Sequence, residues 1–291
     1  MGVASMRGMM LAGGAGTRLF PLSQVSSKQL QAVYDKPMIY YPLATLMNAG
    51  IREIHLISSP ADLPIFERVL GDGSQWGIEL SYGVQPNPGG IAQAVLIGEE
   101  FVRDQPFTLI LGDNVFHGQI GLDTEVAEFA SGAVIWGYPV EDPERYGVVE
   151  IDNSGSVLSI EEKPNSPRSD LAVPGLYVYD GTAVSRAKEL TPSERGELEI
   201  TDLNMSFLAD GELRAAKLSR DATWLDSGTH ESLLESSNFV ASVEKDQNYK
   251  VACLEEVAFK MGFVSAEDAA RTISAMPLSP YRTYCERAIL E

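Results

Sequence analysis

Residues 6–19 read Met6-Arg7-Gly8-Met9-Met10-Leu11-Ala12-Gly13-Gly14-Ala15-Gly16-Thr17-Arg18-Leu19. The apolar run from Gly8 to Ala12 has the content and length of a short strand, and it stops on a glycine cluster. A strand feeding a glycine turn opens an α/β unit whose backbone N–H groups can approach phosphates closely. The chain beyond it keeps the same alternation. Pro37 to Gly50 predicts a helix, with Pro37 in its first turn and Gly50 just past its end, and Glu53 to Ser58 is an apolar run of strand length. Helix-like stretches at Ile65 to Leu70 and Ile91 to Val102 alternate with strand-like ones at Glu79 to Gln85 and Phe107 to Gly112. Such alternation predicts a doubly wound, mainly parallel Rossmann-like α/β sheet covered on both faces.

The second half changes character. Val148 to Ile151, Val157 to Glu161 and Gly175 to Tyr179 read as strands separated by Asn-Ser-Gly and Pro-Asn-Ser-Pro turns, and helices return at Thr182 to Leu190, Ile200 to Ala209 and Glu231 to Val243. These stretches predict one continuous sheet with a substrate-side extension, followed by a helical C-terminal piece from about Tyr249.

Composition narrows the class. The 291 residues are 44% hydrophobic and 22% charged, enough for a large core and too apolar for a disordered chain. Lys and Arg total 22 against 41 Asp and Glu, so a broad surface that tracks nucleic-acid phosphates is excluded. A phosphate ligand must instead meet a local cluster of cations. Cys253 and Cys285, the only cysteines, allow one bridge on paper but form neither a disulfide framework nor a metal-binding spacing, which makes a reducing cytoplasm the expected setting. No apolar stretch reaches the roughly 18 residues of a membrane helix, the N-terminus lacks a secretory pattern, and Met6 stands where myristoylation at Gly2 would want Ser or Thr.

The glycine turn matches neither well-known phosphate-binding pattern. A dinucleotide fingerprint would need glycine at Leu19, and a P-loop would need Lys-Ser or Lys-Thr after its last glycine. Arg18 still adds a forked cation, and Lys28 in Ser27-Lys28-Gln29-Leu30 adds a second. Asp113 follows the run Leu109-Ile110-Leu111-Gly112, at the strand end where open α/β sheets bind ligands. Asp226, in Trp224-Leu225-Asp226-Ser227-Gly228, has a similar setting. Taken singly, each Asp reads as a helix cap or a turn residue before a helix-like segment. Taken with the cations, the pair suits Mg²⁺, which needs one or two carboxylates plus phosphate oxygens. Tyr146-Gly147, Glu161-Glu162-Lys163-Pro164 and Arg195-Gly196-Glu197 offer turn-borne groups for sugar hydroxyls and a monophosphate. The histidines have no metal-triad spacing, and no G-x-S-x-G elbow supports a hydrolase.

Over nearly its whole length the chain resembles the glucose-1-phosphate thymidylyltransferases, a group of sugar nucleotidylyltransferases. The resemblance rests on Leu11 through Leu19, on Ser27-Lys28-Gln29-Leu30 through Leu43, and on Leu70-Gly71-Asp72-Gly73-Ser74. Gly112-Asp113-Asn114, Glu161-Glu162-Lys163-Pro164, Arg195 through Asp202 and Trp224-Leu225-Asp226 complete it. It implies the nucleotide-diphospho-sugar transferase fold, and a reaction in which the phosphate of glucose 1-phosphate attacks the α-phosphorus of dTTP. The products would be dTDP-glucose and pyrophosphate, the first step toward dTDP-linked deoxysugars.

The resemblance also implies residue roles. Gly13, Gly14, Gly16 and Thr17 would cradle the nucleotide phosphates, and Arg18 would steady the triphosphate. Lys28 would neutralise charge at the reacting centre, and Asp113 and Asp226 would hold Mg²⁺. Gln29, Gln85 and Gly90 would contact the nucleoside, and Tyr146, Gly147, Glu162, Lys163, Tyr177 and Arg195 the sugar phosphate. On this reading residues 6–248 form the nucleotidylyltransferase domain, with its nucleotide-binding part at about 6–130 and its sugar-phosphate part at about 131–230. Residues 249–291 form an interface and regulatory tail in a homotetramer, which could bind an allosteric dTDP-sugar. Departures such as Gln31-Ala32, Gly89, His117 and Arg168 through Leu171 bear on the substrate rather than the chemistry. They leave open a modified sugar phosphate, UTP in place of dTTP, or a non-catalytic nucleotide-sugar-binding homologue.

Overall fold

The computed structural model describes residues 6–14, 16–219 and 221–291, so Ala15 of the glycine turn and Gly2 lie outside it. In chain order its strands are β1 (Arg7–Ala12), β2 (Ala32–Val33), β3 (Lys36–Pro37), β4 (Glu53–Ser58), β5 (Glu79–Val84), β6 (Phe107–Leu111) and β7 (Asn114–His117). They continue as β8 (Ala133–Pro139), β9 (Gly147–Ile151), β10 (Val157–Glu162), β11 (Leu171–Ala172), β12 (Leu176–Tyr179), β13 (Leu213–Lys217) and β14 (Thr223–Asp226). Ten of them build one sheet in the order β10-β9-β11-β8-β12-β6-β1-β4-β5, with β13 added on β8. The unit β6-β1-β4-β5 is parallel throughout, and β13 joins β8 in parallel. The strands β12, β11, β9 and β10 run antiparallel to their neighbours and form the predicted substrate-side extension. The sheet is thus a mostly parallel centre with flanking helices and an antiparallel wing.

Successive residues of β1 bury themselves on opposite faces, as the two-residue period of a strand requires. Met10 joins the layer containing Leu43, Leu46, Leu56 and Phe66, while Met9 joins Val95, Leu109, Tyr179 and Phe207 on the other side. Both methionines are fully buried, which fixes β1 at the centre of the molecule. The nearly continuous apolar run in residues 8–12 is the signature of a strand covered twice.

Three sequence expectations need correction. The first helix begins at Tyr40 rather than Pro37, because Lys36 and Pro37 pair antiparallel with Val33 and Ala32 around Tyr34 at φ +58°. Gly50, at φ +83°, does sit just beyond its end as expected. The stretch from Ile91 to Val102 is two helices, Ala92–Ile97 and Glu99–Val102, which part at Gly98. A Cβ on Gly98 would lie 2.2 Å from Met9 Cε, so the missing side chain is what lets this segment rest on β1. Finally, neither Asp113 nor Asp226 caps a helix, and the turn alternative holds at Asp113 alone. Asp113 precedes strand β7, Asp226 ends strand β14, and the helix His230–Gln247 is capped instead by Thr229 in a capping box with Ser232.

After the helix His230–Gln247 the chain stays helical, as the sequence predicts, with Leu254–Lys260, Ala266–Ala275 and Pro280–Cys285 in succession. Leu254 and Ala258 reach the same apolar layer as Leu43 and Trp76, while Ala269, Ile273 and Cys285 form a small cluster of their own. Among the described residues no helix is long and apolar enough to cross a membrane.

Candidate functional site

The carboxyl ends of β1, β5 and β6 deliver Gly13, Gln85 and Asp113 to one end of the sheet. Gly13 follows β1, Gln85 follows β5, and Asp113 follows β6 after Gly112, whose N–H donates to the Leu11 carbonyl at 2.9 Å. The glycine turn is packed tightly on its inner side. Gln29 Nε2 donates to the Gly13 carbonyl at 3.1 Å, and a Cβ on Gly13 would lie 2.3 Å from Gln85 Oε1. Gln85 is buried and donates from Nε2 to the Gly90 carbonyl at 3.2 Å and to Gln93 Oε1 at 2.9 Å.

Gly90 itself sits at φ +98°, and a Cβ there would lie 2.3 Å from the Leu198 carbonyl oxygen and 2.6 Å from its nitrogen. Both obstacles are backbone, and Leu198 is tied to this loop by hydrogen bonds with Gly89 and Ala92. Gly90→Ala is therefore expected to destabilise the fold by about 2 kcal/mol or more, read by urea unfolding. An unchanged unfolding midpoint would show that the loop relaxes freely.

Asp226 reaches the same place by a different route. Strands β7 and β14 pair antiparallel with Asp226 opposite Asn114, so the second carboxylate is carried to the residue beside Asp113. Asn114 then orients the first. Its Nδ2 donates to Asp113 Oδ1 at 3.0 Å, while its Oδ1 accepts from Trp224 Nε1 at 2.6 Å and from the Gly175 N–H at 2.9 Å. Lys28 Nζ donates to Asp113 Oδ2.

The electrostatics follow from this geometry. Burial opposes the charge on Asp113, but the Lys28 ammonium and its hydrogen bond hold the carboxyl below its ordinary range. Burial likewise opposes the charge on Lys28, and Asp113 with Asp226 outweighs it and raises the ammonium pKa. Asp226 is pushed up to about 6, first by burial and then by the neighbouring Asp113 charge. A group whose folded pKa is raised binds more protons folded than unfolded between pH 3.8 and about 6, so the protein loses stability as pH climbs through that window. Asp226→Asn is accordingly expected to stabilise the ligand-free protein at pH 7 by about 1–3 kcal/mol. Thermal unfolding of both proteins at neutral pH checks it; a lower midpoint in the variant would contradict the repulsion.

The antiparallel wing supplies the other half. Gly147 on β9 pairs with Glu162 on β10, and Thr201 Oγ1 donates to Glu162 Oε2 at 2.7 Å. Lys163, at φ +44°, follows directly, its N–H donating to the Tyr146 carbonyl at 3.0 Å and its Nζ 3.3 Å from Glu162 Oε1. Arg195 is held by Glu199 through contacts of 2.9 Å and lies 3.5 Å from Glu162. Tyr177 projects from β12 and is buried.

Residues from both halves line one cavity of about 350 Å³. Its walls include Gly13, Gly14, Arg18, Lys28, Gln29, Gln85, Gly90 and Asp113 from the first half of the chain. Tyr146, Gly147, Glu162, Lys163, Tyr177, Arg195 and Asp226 come from the other. Gly16 lines a smaller neighbouring cavity instead, and Thr17 is exposed. Sequence reasoning did not single out Asn114, Arg145, Thr201 and Trp224 as site residues, although all four line the cavity. Asn114 and Trp224 sat inside quoted motifs, but only the β7–β14 pairing reveals their joint role. His55 is buried in its strand with Nδ1 2.8 Å from Ser81 Oγ, and His117 packs between Phe239 and Tyr249, so neither belongs to the site.

Arg18 and Lys28 lie in the same cavity as the carboxylates Asp113 and Asp226, which brings together the charges that a nucleotide-transferring enzyme uses. The pattern of the family described as nucleotidyl transferase matches residues 7–243, and the chain belongs to that family. It is 52% identical over 281 residues, 96% of this chain and 98% of the relative, to the glucose-1-phosphate thymidylyltransferase of Neisseria gonorrhoeae. A Bacillus anthracis protein that bears that enzyme name provisionally, solved with a sucrose, superposes with a TM-score of 0.76 at 41% identity, covering 81% of this chain and 95% of that one. A UDP-glucose pyrophosphorylase solved with UDP-glucose shares the fold, with a TM-score of 0.73 at 23% identity over 83% of this chain and 99% of its own. Enzymes of this family generally depend on a metal ion.

Proposed function

We propose that the enzyme transfers the dTMP moiety of dTTP to α-D-glucose 1-phosphate, giving dTDP-glucose and pyrophosphate by direct in-line attack. The observation that carries the proposal is that one cavity is lined by Gly13 and Gly14 of the glycine turn, Arg18, Lys28, Glu162, Lys163 and Arg195 together with the Asp113–Asp226 pair. Transfers of this kind depend on positioning and charge stabilisation more than on covalent help, and the cavity supplies both.

The carboxylate pair fits Mg²⁺. Its donors are hard oxygens, and the burial and neighbouring Asp113 charge that raise Asp226 are both offset by a divalent cation. Mg²⁺ held by Asp113 and Asp226 would neutralise charge on the nucleotide phosphates. The chain's own residues do the rest. Lys28 balances charge at the reacting phosphorus, and Arg18 steadies the departing pyrophosphate. Gln29, Gln85 and Gly90 orient the nucleoside, with Gly13 and Gly14 at its phosphates. Lys163 and Arg195 hold the sugar phosphate, while Glu162, Gly147, Tyr146 and Tyr177 meet the hexose.

The division into a catalytic unit over residues 6–248 and an assembly tail over 249–291 belongs to the same proposal, as does action in the cytoplasm as a homotetramer. A second cavity of about 730 Å³, lined by Thr45, Phe116, Tyr249 and Val251 among others, shares no lining residue with the first. It has room for a regulatory dTDP-sugar. The test of the reaction is identification of dTDP-glucose by mass spectrometry after incubation with dTTP, Mg²⁺ and glucose 1-phosphate. Equal turnover of UTP would widen the assignment to a uridylyltransferase, and turnover only with an amino or deoxy sugar phosphate would move the acceptor.

A further inference from the structure

Cys253 and Cys285 stand 32 positions apart, and the fold brings their Sγ atoms to 3.7 Å. Both are buried, at 1% and 0% exposure, among Ala269, Ile273, Tyr284 and Ile289. Cys253 precedes the helix Leu254–Lys260 and lines the second cavity, whereas Cys285 ends the helix Pro280–Cys285. We propose that this pair is a disulfide-forming modification site, oxidised by a low-molecular-weight disulfide, that latches the last helix to the wall of the second cavity.

The exchange balances without any further reactant. One cysteine thiolate attacks the small disulfide and expels one of its thiols, and the second thiolate attacks the mixed disulfide and expels the other. The two cysteines lose two protons and two electrons, and the reagent leaves as two thiols. The hydrogen bond to Cys253, together with burial, raises the Cys285 thiol pKa, so little thiolate is present and the exchange is slow.

A metal is the competing occupant, since Glu255 completes a three-donor cluster with the two sulfurs. Its carboxylate is already engaged, with Oε1 accepting from Trp76 Nε1 at 3.0 Å and Oε2 from the Tyr281 hydroxyl at 2.6 Å. Two thiolates and a carboxylate around a divalent ion would also leave a net negative charge in this buried place. The nearby cation, Lys250, is held by Asp35 and Glu244. A disulfide is neutral and brings no such cost.

The test incubates the native, full-length protein with excess oxidised glutathione, blocks free thiols and digests without reduction. The expected result is a cross-linked pair of tryptic peptides, residues 251–260 joined to residues 283–287, with an intact mass lower by about 2 Da. The oxidised protein should melt roughly 5 °C above the reduced one, a difference absent in Cys285→Ala. Two free thiols in the native protein, while a guanidinium-unfolded control cross-links, would overturn the proposal. So would a stable glutathione adduct without the cross-link, or a retained metal ion in native mass spectrometry.

Discussion

Asp113→Asn is expected to lower kcat by about 10³-fold or more while the protein stays folded. The amide keeps the shape of the carboxyl and can still accept the Asn114 Nδ2 hydrogen bond, so the packing around Trp224 and Gly175 is preserved. What disappears is one of the two charges that would hold the cation, and with it the partner of Lys28. Lys28 retains Asp226 as a nearby counter-charge. Pyrophosphate release measured beside thermal unfolding separates the two effects. A variant with near-normal turnover would remove Asp113 from the chemistry.

Lys28→Ala is expected to be similarly damaging to turnover and to cost stability as well. Its ammonium is paired with a buried Asp113, and truncating one partner of such a pair strands the other charge. The unfolding free energy should fall by about 3 kcal/mol, with kcat down by about 10²–10³-fold. Lys28→Ala combined with Asp113→Asn relieves the stranded charge, so the double variant should recover stability relative to Lys28→Ala but no activity. Stability unchanged in Lys28→Ala would show that the pair contributes little to the folded state.

The parallel centre of the fold was legible because β1, β4 and β6 are largely apolar runs, two of them ending in glycine, at residues 8–13 and 107–112. Doubly covered strands need apolar side chains on both faces, and Met9 and Met10 show that demand directly. Strands β7, β8, β13 and β14 were not read from the sequence. β7 and β14 are four residues each, too short for a period to emerge, and their pairing is set by contacts more than a hundred positions apart. The helix expected from Pro37 failed for a local reason, the turn at Tyr34 that pairs β2 with β3.

Site residues were legible where a residue type carries chemistry by itself. Lys28, Asp113 and Arg195 stand out in an acidic chain as charges beside strand ends or turns. Asn114 and Thr201 act through other residues, one on Asp113 and one on Glu162. Nothing in a neutral amide or a hydroxyl announces that in sequence. Their placement depends on β14 lying on β7 and on the helix Ile200–Ala209 meeting β10.

The central claim is tested most directly by pyrophosphate release from the purified protein with Mg²⁺ and glucose 1-phosphate, with dTTP, UTP, CTP, ATP and GTP supplied in parallel. The account predicts fast release with dTTP, dependent on both the sugar phosphate and the metal, and slower release with the other nucleotides. No release with any nucleotide, from a protein that still binds dTDP-glucose, would contradict it and identify a nucleotide-sugar-binding homologue without transferase activity.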